Sequence, residues 1–251
     1  MTSTTSKFDS YWEPVKNAIL ALSDRPITIK ESSMRTNEFS TVFLVNFEGI
    51  GCYPLMGYLT VPKGNGPWPA IFQSPGYASV VPIPGNERRK QYVVFSAPHR
   101  GKRLSDSLYS AEYPGLLTDG LADPISYKWR DIVADCIRAF DVFTSRPEVS
   151  DSKLGVTGGD LAAITAAFRP QVDALLINDL MFRNTPARLE SIDSYPLQEF
   201  NDYLRIHPND KDILSSTLSL FDPLAFSGAI KADTLITCVQ SQQEEDRKSV
   251  V

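Results

Sequence analysis

The sequence predicts an α/β protein, a mostly parallel sheet with helices on both faces, and three observations carry that prediction. Short apolar runs at 70–73, 92–96, 154–157, 174–177 and 235–238 have the length of buried strands. Helical segments separate them: 127–144 carries Ile132, Cys136, Phe140 and Phe143 on one stripe, and another helix follows the third run. Strands that alternate with helices are joined by crossovers, which pair them in parallel under a cover of helices. Ahead of these runs, 27–34, 40–47 and 55–61 alternate apolar and polar residues, the pattern of an antiparallel entry to the sheet.

The remaining elements follow in order. Phe8, Trp12, Val15, Ile19 and Leu22 recur at helical spacing, which predicts a leading amphipathic helix over 8–22. Pro14 is expected in its first turn, where a missing N–H costs little. The cluster Lys63, Gly64, Asn65, Gly66, Pro67 reads as a turn between two strands. Residues 182–220 are polar and mainly helical, interrupted by Pro186, Pro196 and Pro208, and read as an insertion between core strands, where such folds carry a lid. No repeat divides the 251 residues, so a single domain over 1–251 is expected.

Bulk properties exclude several classes of function. A net charge of −5 and a pI near 5.1 give no electrostatic footprint for nucleic acid or an anionic membrane surface. Cys52, Cys136 and Cys238 are odd in number and lack C-x-x-C spacing, so neither a zinc site nor a disulfide framework is indicated. A reduced, intracellular setting without a metal or other cofactor is expected. The N-terminal segment has no apolar signal core, and no apolar run approaches membrane-spanning length.

The chemistry concentrates at 153–167, which reads as a buried strand, a glycine turn at Gly158-Gly159, and an apolar helix, with Asp160 at the apex. A sharp turn of this kind presents one side chain at the top of the sheet, beside a helix N-terminus and N–H groups able to bind an oxyanion. It is the architecture of the nucleophile elbow of α/β-hydrolases, G-x-S-x-G, with aspartate in place of serine. Asp160 has two readings. One is a helix N-cap that accepts from the first N–H groups. The other is a covalent nucleophile, which needs a histidine to activate water. Only His99 and His207 exist. His99 beside Arg100 either faces the pocket or is solvated in a basic loop, the second being the usual case, and His207 is expected to sit in a surface turn. Arg100 is expected to brace a loop through ion pairs, and Lys102 with Arg103 to extend a solvated charge run. Trp129 and its stripe read as core. Tyr77, after the first core strand, is either a site residue or a plain turn.

Ordered blocks along the chain resemble the acetyl xylan esterase and cephalosporin C deacetylase family, the seventh carbohydrate esterase family, from about Phe8 onward. They are Val61-Pro62 and Ser74-Pro75-Gly76-Tyr77, then His99-Arg100-Gly101-Lys102 at an Arg-Gly-Gln motif. The segment 113–124, with Tyr127 and Arg130 behind it, is similar to a family-specific stretch, and Leu154 to Gly159 matches the run into the elbow. Tyr195-Pro196 and Leu218 to Asp222 fit the insertion. The resemblance implies an α/β-hydrolase fold, a cytoplasmic enzyme and often a ring-like hexamer. It implies hydrolysis of O-acetyl esters on short xylo-oligosaccharides and cephalosporin-type alcohols through a Ser-His-Asp triad. It also implies an oxyanion hole made of the backbone N–H groups of Tyr77 and Leu161. Arg100, Gly101, Gly158 and Gly159 would be motif-supporting residues.

The departures fall at the site. The family's Gly-Gly-Ser-Gln-Gly-Gly is here Gly158-Gly159-Asp160-Leu161-Ala162-Ala163, and Arg-Gly-Gln ends in Lys102. Ungapped counting puts Gln242 at the acidic triad position, with Glu244 and Glu245 nearby, and no histidine follows. Residues 246–251 resemble a translated sequencing adapter. The chain is therefore expected to be a fragment whose native sequence ends near Glu245, lacking the last strand and helices. Ester hydrolysis is expected to be lost or altered. The alternatives are a non-catalytic scaffold or carbohydrate-binding relative, and a hydrolase using Asp160 as nucleophile.

Overall fold

The computed structural model describes residues 2–77 and 80–237. Among the described residues, eight strands form one sheet in the order β1-β2-β3-β5-β4-β6-β7-β8. The antiparallel entry consists of β1 (Thr28–Glu31), β2 (Ser40–Gly49) and β3 (Tyr53–Pro62), with β2 and β3 in register from Ser40↔Pro62 to Gly49↔Tyr53. β3 also runs antiparallel to β5 (Val93–Ser96). From there the sheet is parallel: β5, β4 (Trp68–Gln73), β6 (Val149–Gly158), β7 (Ala174–Ile177) and β8 (Asp233–Ile236). This is the α/β-hydrolase type of sheet that the sequence predicts. The last strand begins two residues earlier than expected, and Cys238 lies outside the described residues.

The helices pack as the stripes require. α1 (Thr2–Leu20) buries Trp12, Val15 and Ile19, and the Trp12 ring meets Phe168, Phe221 and Phe226 edge-on. Pro14 lies inside this helix and not in its first turn as expected. Burial of the flanking apolar residues outweighs the hydrogen bond that an interior proline gives up. α2 (Asn86–Gln91) was not foreseen, because its sequence is short and polar. Its Arg89 donates from Nε to Ser40 Oγ at 2.7 Å. That contact places α2 on the face of Val42, Met56 and Tyr58, which form a cluster separate from the main core. α3 (Lys128–Thr144) and α4 (Asp160–Phe168) cover the other face, where Phe72, Phe95, Phe140 and Phe143 pack ring against ring. Helices therefore lie on both faces, although β4, β6, β7 and β8 leave an open hollow of about 710 Å³ on the α2 side.

The insertion folds as α5 (Thr185–Arg188), α6 (Gln198–Ile206) and α7 (Lys211–Ser219), followed by α8 (Pro223–Phe226). Pro186 opens α5 and Pro208 opens a short 3₁₀ turn, so these two prolines start helical turns where they were expected to break them. No described helix is long and apolar enough to cross a membrane.

Candidate functional site

The carboxyl ends of the parallel strands frame a cavity of about 540 Å³. Gln73 and Ser74 bring the end of β4 to it, Thr157 and Gly158 the end of β6, and Asn178 the residue after β7. In open α/β sheets this is the crevice where ligands bind. The turn from β6 into α4 is built from backbone constraints. Gly158 has φ +147°, and a Cβ there would stand 2.0 Å from Ser74 Oγ. A Cβ on Gly159 would stand 2.9 Å from the Asp179 carbonyl oxygen. Only glycine meets both demands at 158, the left-handed φ and the close approach.

Asp160 lines this cavity but does not project from it, since only 2% of its surface is exposed. The cap of α4 is Gly159, and Asp160 is the first helical residue. Its Oδ2 accepts from the Met181 N–H at 2.9 Å and its Oδ1 from the Phe182 N–H at 3.0 Å. The N-cap expectation is thereby corrected: Gly159 is the cap, and the Asp160 carboxylate bonds the segment after β7. Burial pushes its pKa up to about 7, against the lowering effect of the Phe182 and Met181 N–H bonds.

Tyr77 and Leu161 face the same cavity. The Leu161 N–H precedes the first bond of α4, which Ala162 donates to the Gly159 carbonyl at 3.0 Å. It is one of the donors that every helix start leaves unsatisfied within the helix. The Tyr77 hydroxyl donates to Glu199 on α6, whose other oxygen accepts from the Leu117 N–H at 2.8 Å. Tyr77 also meets Tyr113 edge-on, with ring centroids 5.2 Å apart. Glu199 is buried, and burial raises its pKa. Sequence reasoning missed Glu199. Its partners lie 82 and 122 residues away, so no local pattern marks it.

The basic loop is the second correction. His99 is fully buried and not solvated. Its Nδ1 lies 2.6 Å from the Arg100 carbonyl and its Nε2 3.3 Å from the Tyr77 carbonyl, both of which can only accept; the shorter contact is the one at Nδ1. Burial above all lowers its pKa to about 4. Lys102 is likewise buried, with 4% exposure, and lines the cavity. Its Nζ donates to the Gly76 carbonyl at 3.4 Å, and burial lowers its pKa to about 8. Arg103 is exposed as expected. Arg100 braces the loop in the way the sequence suggested. Its Nε and Nη2 reach Asp135 at 2.7 and 2.8 Å, and its Nη1 reaches Asp131 at 2.7 Å. Gly101 follows it at φ +77°, with Tyr109 where a Cβ would be.

Trp129 is both core and cavity wall. His207 sits exposed after α6, its ring centroid 4.6 Å from that of Tyr203. Neither histidine lines the cavity. Gln242, Glu244 and Glu245 lie outside the described residues.

Comparison with known proteins agrees with the fold. A family model described as acetyl xylan esterase matches residues 2–242. The acetyl esterase Axe7A of Xylanibacter ruminicola is 24% identical over 258 residues, which cover 94% of this chain. The chain spans only 56% of that relative's own length. An acetyl xylan esterase structure from Paenibacillus sp. R4 superposes with a TM-score of 0.80 at 24% identity, covering 92% of this chain and 78% of its own. Acetyl xylan esterase 1 from Thermoanaerobacterium sp. JW/SL YS485 gives 0.78 at 22% identity, with 92% and 77% covered. These structures share the fold.

Proposed function

The chain belongs to the acetyl xylan esterase family, and from that premise we propose that it keeps the family's binding cavity while having given up acetyl-ester hydrolysis. The observation that carries this reading is the engagement of Asp160. Both of its oxygens are held by backbone N–H groups, in a buried position that a nucleophile cannot occupy and still attack. A carboxylate there would also oppose the negative charge that develops on an acyl oxygen. Neither His99 nor His207 lines the cavity to relay a proton. The pocket itself persists, lined by Tyr77, Leu161 and the aromatic wall of Trp129. The ligand is a small sugar-type molecule, bound and not cleaved.

Two measurements test this together. Acetate release from 4-nitrophenyl acetate and from acetylated xylo-oligosaccharides is expected to match the buffer blank, for the chain and for Asp160→Ser alike. Titration with the same sugars is expected to change the tryptophan fluorescence through Trp129. Turnover that vanishes in Asp160→Ala, with an ester adduct on Asp160 by mass spectrometry, would replace this reading by an aspartate nucleophile.

A further inference from the structure

A second groove, of about 600 Å³, adjoins the cavity and shares Val80 with it. It lies on the face of β2 and β3 that carries Met56 and Tyr58, and Val81 and Ile83 form another part of its wall. The loop after β5 serves both hollows: Lys102 lines the cavity, whereas Arg103 and Leu104 line the groove. These two residues are the centre of a tight turn, closed by the Ser105 N–H donating to the Lys102 carbonyl at 2.7 Å. Ser105 is buried and pinned to β3. Its Oγ accepts from the Met56 N–H at 3.0 Å, and its carbonyl accepts from the Tyr53 hydroxyl at 2.6 Å.

The tip of that anchored turn is strained and apolar. Leu104 has φ +75°, in the left-handed region that a bulky side chain rarely adopts, yet 48% of its surface stays exposed. Val80 is 68% exposed. Burial of Leu104 in the folded chain therefore does not account for the conformation, and such outliers gather at ligand clamps. Arginines complete the wall. The Arg35 guanidinium lies 5.0 Å from the Tyr58 ring centroid, Arg103 is exposed, and no carboxylate is among the described lining residues. A guanidinium stacks on the face of an aromatic ring, and aliphatic walls gain by covering what remains of it.

We infer that the groove is an aglycone subsite: the ligand is a sugar joined to a neutral aryl group, whose ring passes Val80 and packs against Leu104 with Arg103 over its face. The inference rests on the cavity being a sugar site, as proposed above, and adds the chemical class of what the sugar carries. Continuity at Val80 favours one ligand that spans both hollows.

Methyl β-xyloside and phenyl β-xyloside make a matched pair of probes, since they differ only in the aglycone. Their affinities for the chain are measured by calorimetry. Phenyl β-xyloside is expected to bind at least tenfold more tightly. A smaller ratio would overturn the aryl subsite and leave the cavity reading standing, whereas binding of neither probe would overturn both. Leu104→Gly suits the positive φ and removes the apolar tip, so this variant is expected to fold and to lower the ratio at least threefold. Arg103→Ala should lower it as well. An unchanged ratio in both variants would place the phenyl ring elsewhere, against Trp129 for example, and overturn the inference.

Discussion

Asp160 Oδ1 and the Phe182 N–H stand 3.0 Å apart, joining residues separated by 22 positions across the top of the sheet. With the Met181 bond, this contact uses the elbow side chain to hold the segment that leads into the helical insertion. Asp160→Ala leaves two N–H groups without an acceptor and is expected to lower stability by about 1–3 kcal/mol. Urea denaturation at pH 7 checks it, and an unchanged midpoint would remove the structural role assigned to the carboxylate.

The same residue carries a pH signature. Its folded pKa near 7 lies above the ordinary 3.8, so the folded chain keeps a proton that the unfolded chain has lost. The contribution of Asp160 is therefore fully present below about pH 4 and declines as pH rises toward 7. Asp160→Asn sets an amide nitrogen against one of the two N–H groups but does not titrate, so its stability relative to the unaltered chain should rise with pH across that window, by at most about 1.4 kcal/mol per pH unit. Denaturation midpoints at half-unit steps from pH 4.5 to 7.5 test it. Parallel curves for the two proteins would contradict it.

Lys102 predicts the opposite behaviour on the alkaline side. Its folded pKa near 8 is depressed from 10.5, so above pH 8 the unfolded chain holds the extra proton. Stability drawn from this group rises between pH 8 and 10.5 and is lost as pH falls through 8. Lys102→Met should flatten that rise, which thermal unfolding between pH 7.5 and 10 would reveal.

Arg100 joins Asp135 and Asp131 and also donates from Nη2 to the Ile50 carbonyl at 3.0 Å. Its guanidinium lies 4.6 Å from the Tyr53 ring centroid. Asp135 is fully buried, so Arg100→Ala strands a charge and should cost about 3–5 kcal/mol. Arg100→Lys should remain destabilising, because an ammonium cannot make the paired contacts of the planar fork. Asp135→Asn in the Arg100→Ala background should recover part of the loss.

Glu199 ties three segments together: the loop of Tyr77, the turn at Leu117, and α6. Glu199→Ala is expected to destabilise by about 1–3 kcal/mol, and Tyr77→Phe by less, since the carboxylate then keeps its Leu117 bond. Faster proteolysis within 182–220 in the Glu199 variant would locate the effect in the insertion. Equal cleavage rates would show that the insertion holds without it.

The sheet was legible because each strand carries its own signal. Residues 174–177 matched the observed β7, and the stripe of Ile132, Cys136 and Phe140 announced α3. α2 was not legible, since it is a short polar crossover held by Arg89 reaching Ser40 from another part of the chain. Pro14 was misplaced for a similar reason. Local propensity marks a helix start, whereas the burial of Trp12, Val15 and Ile19 decides where the helix runs.

By itself the sequence determined the class of sheet, the order of its elements, the glycine turn and the presence of Asp160 where the family has serine. These are properties of periodicity, turn chemistry and residue identity, which act over a few neighbours. Only the tertiary structure decided where the charged side chains went. It buried His99 and Lys102, which a basic run suggests are solvated, and it turned Asp160 from its own helix to Met181 and Phe182. It also brought Glu199 to Tyr77. Burial and long-range hydrogen bonding depend on what packs above a residue, and residues that meet across the top of a sheet leave no mark on one another's sequence.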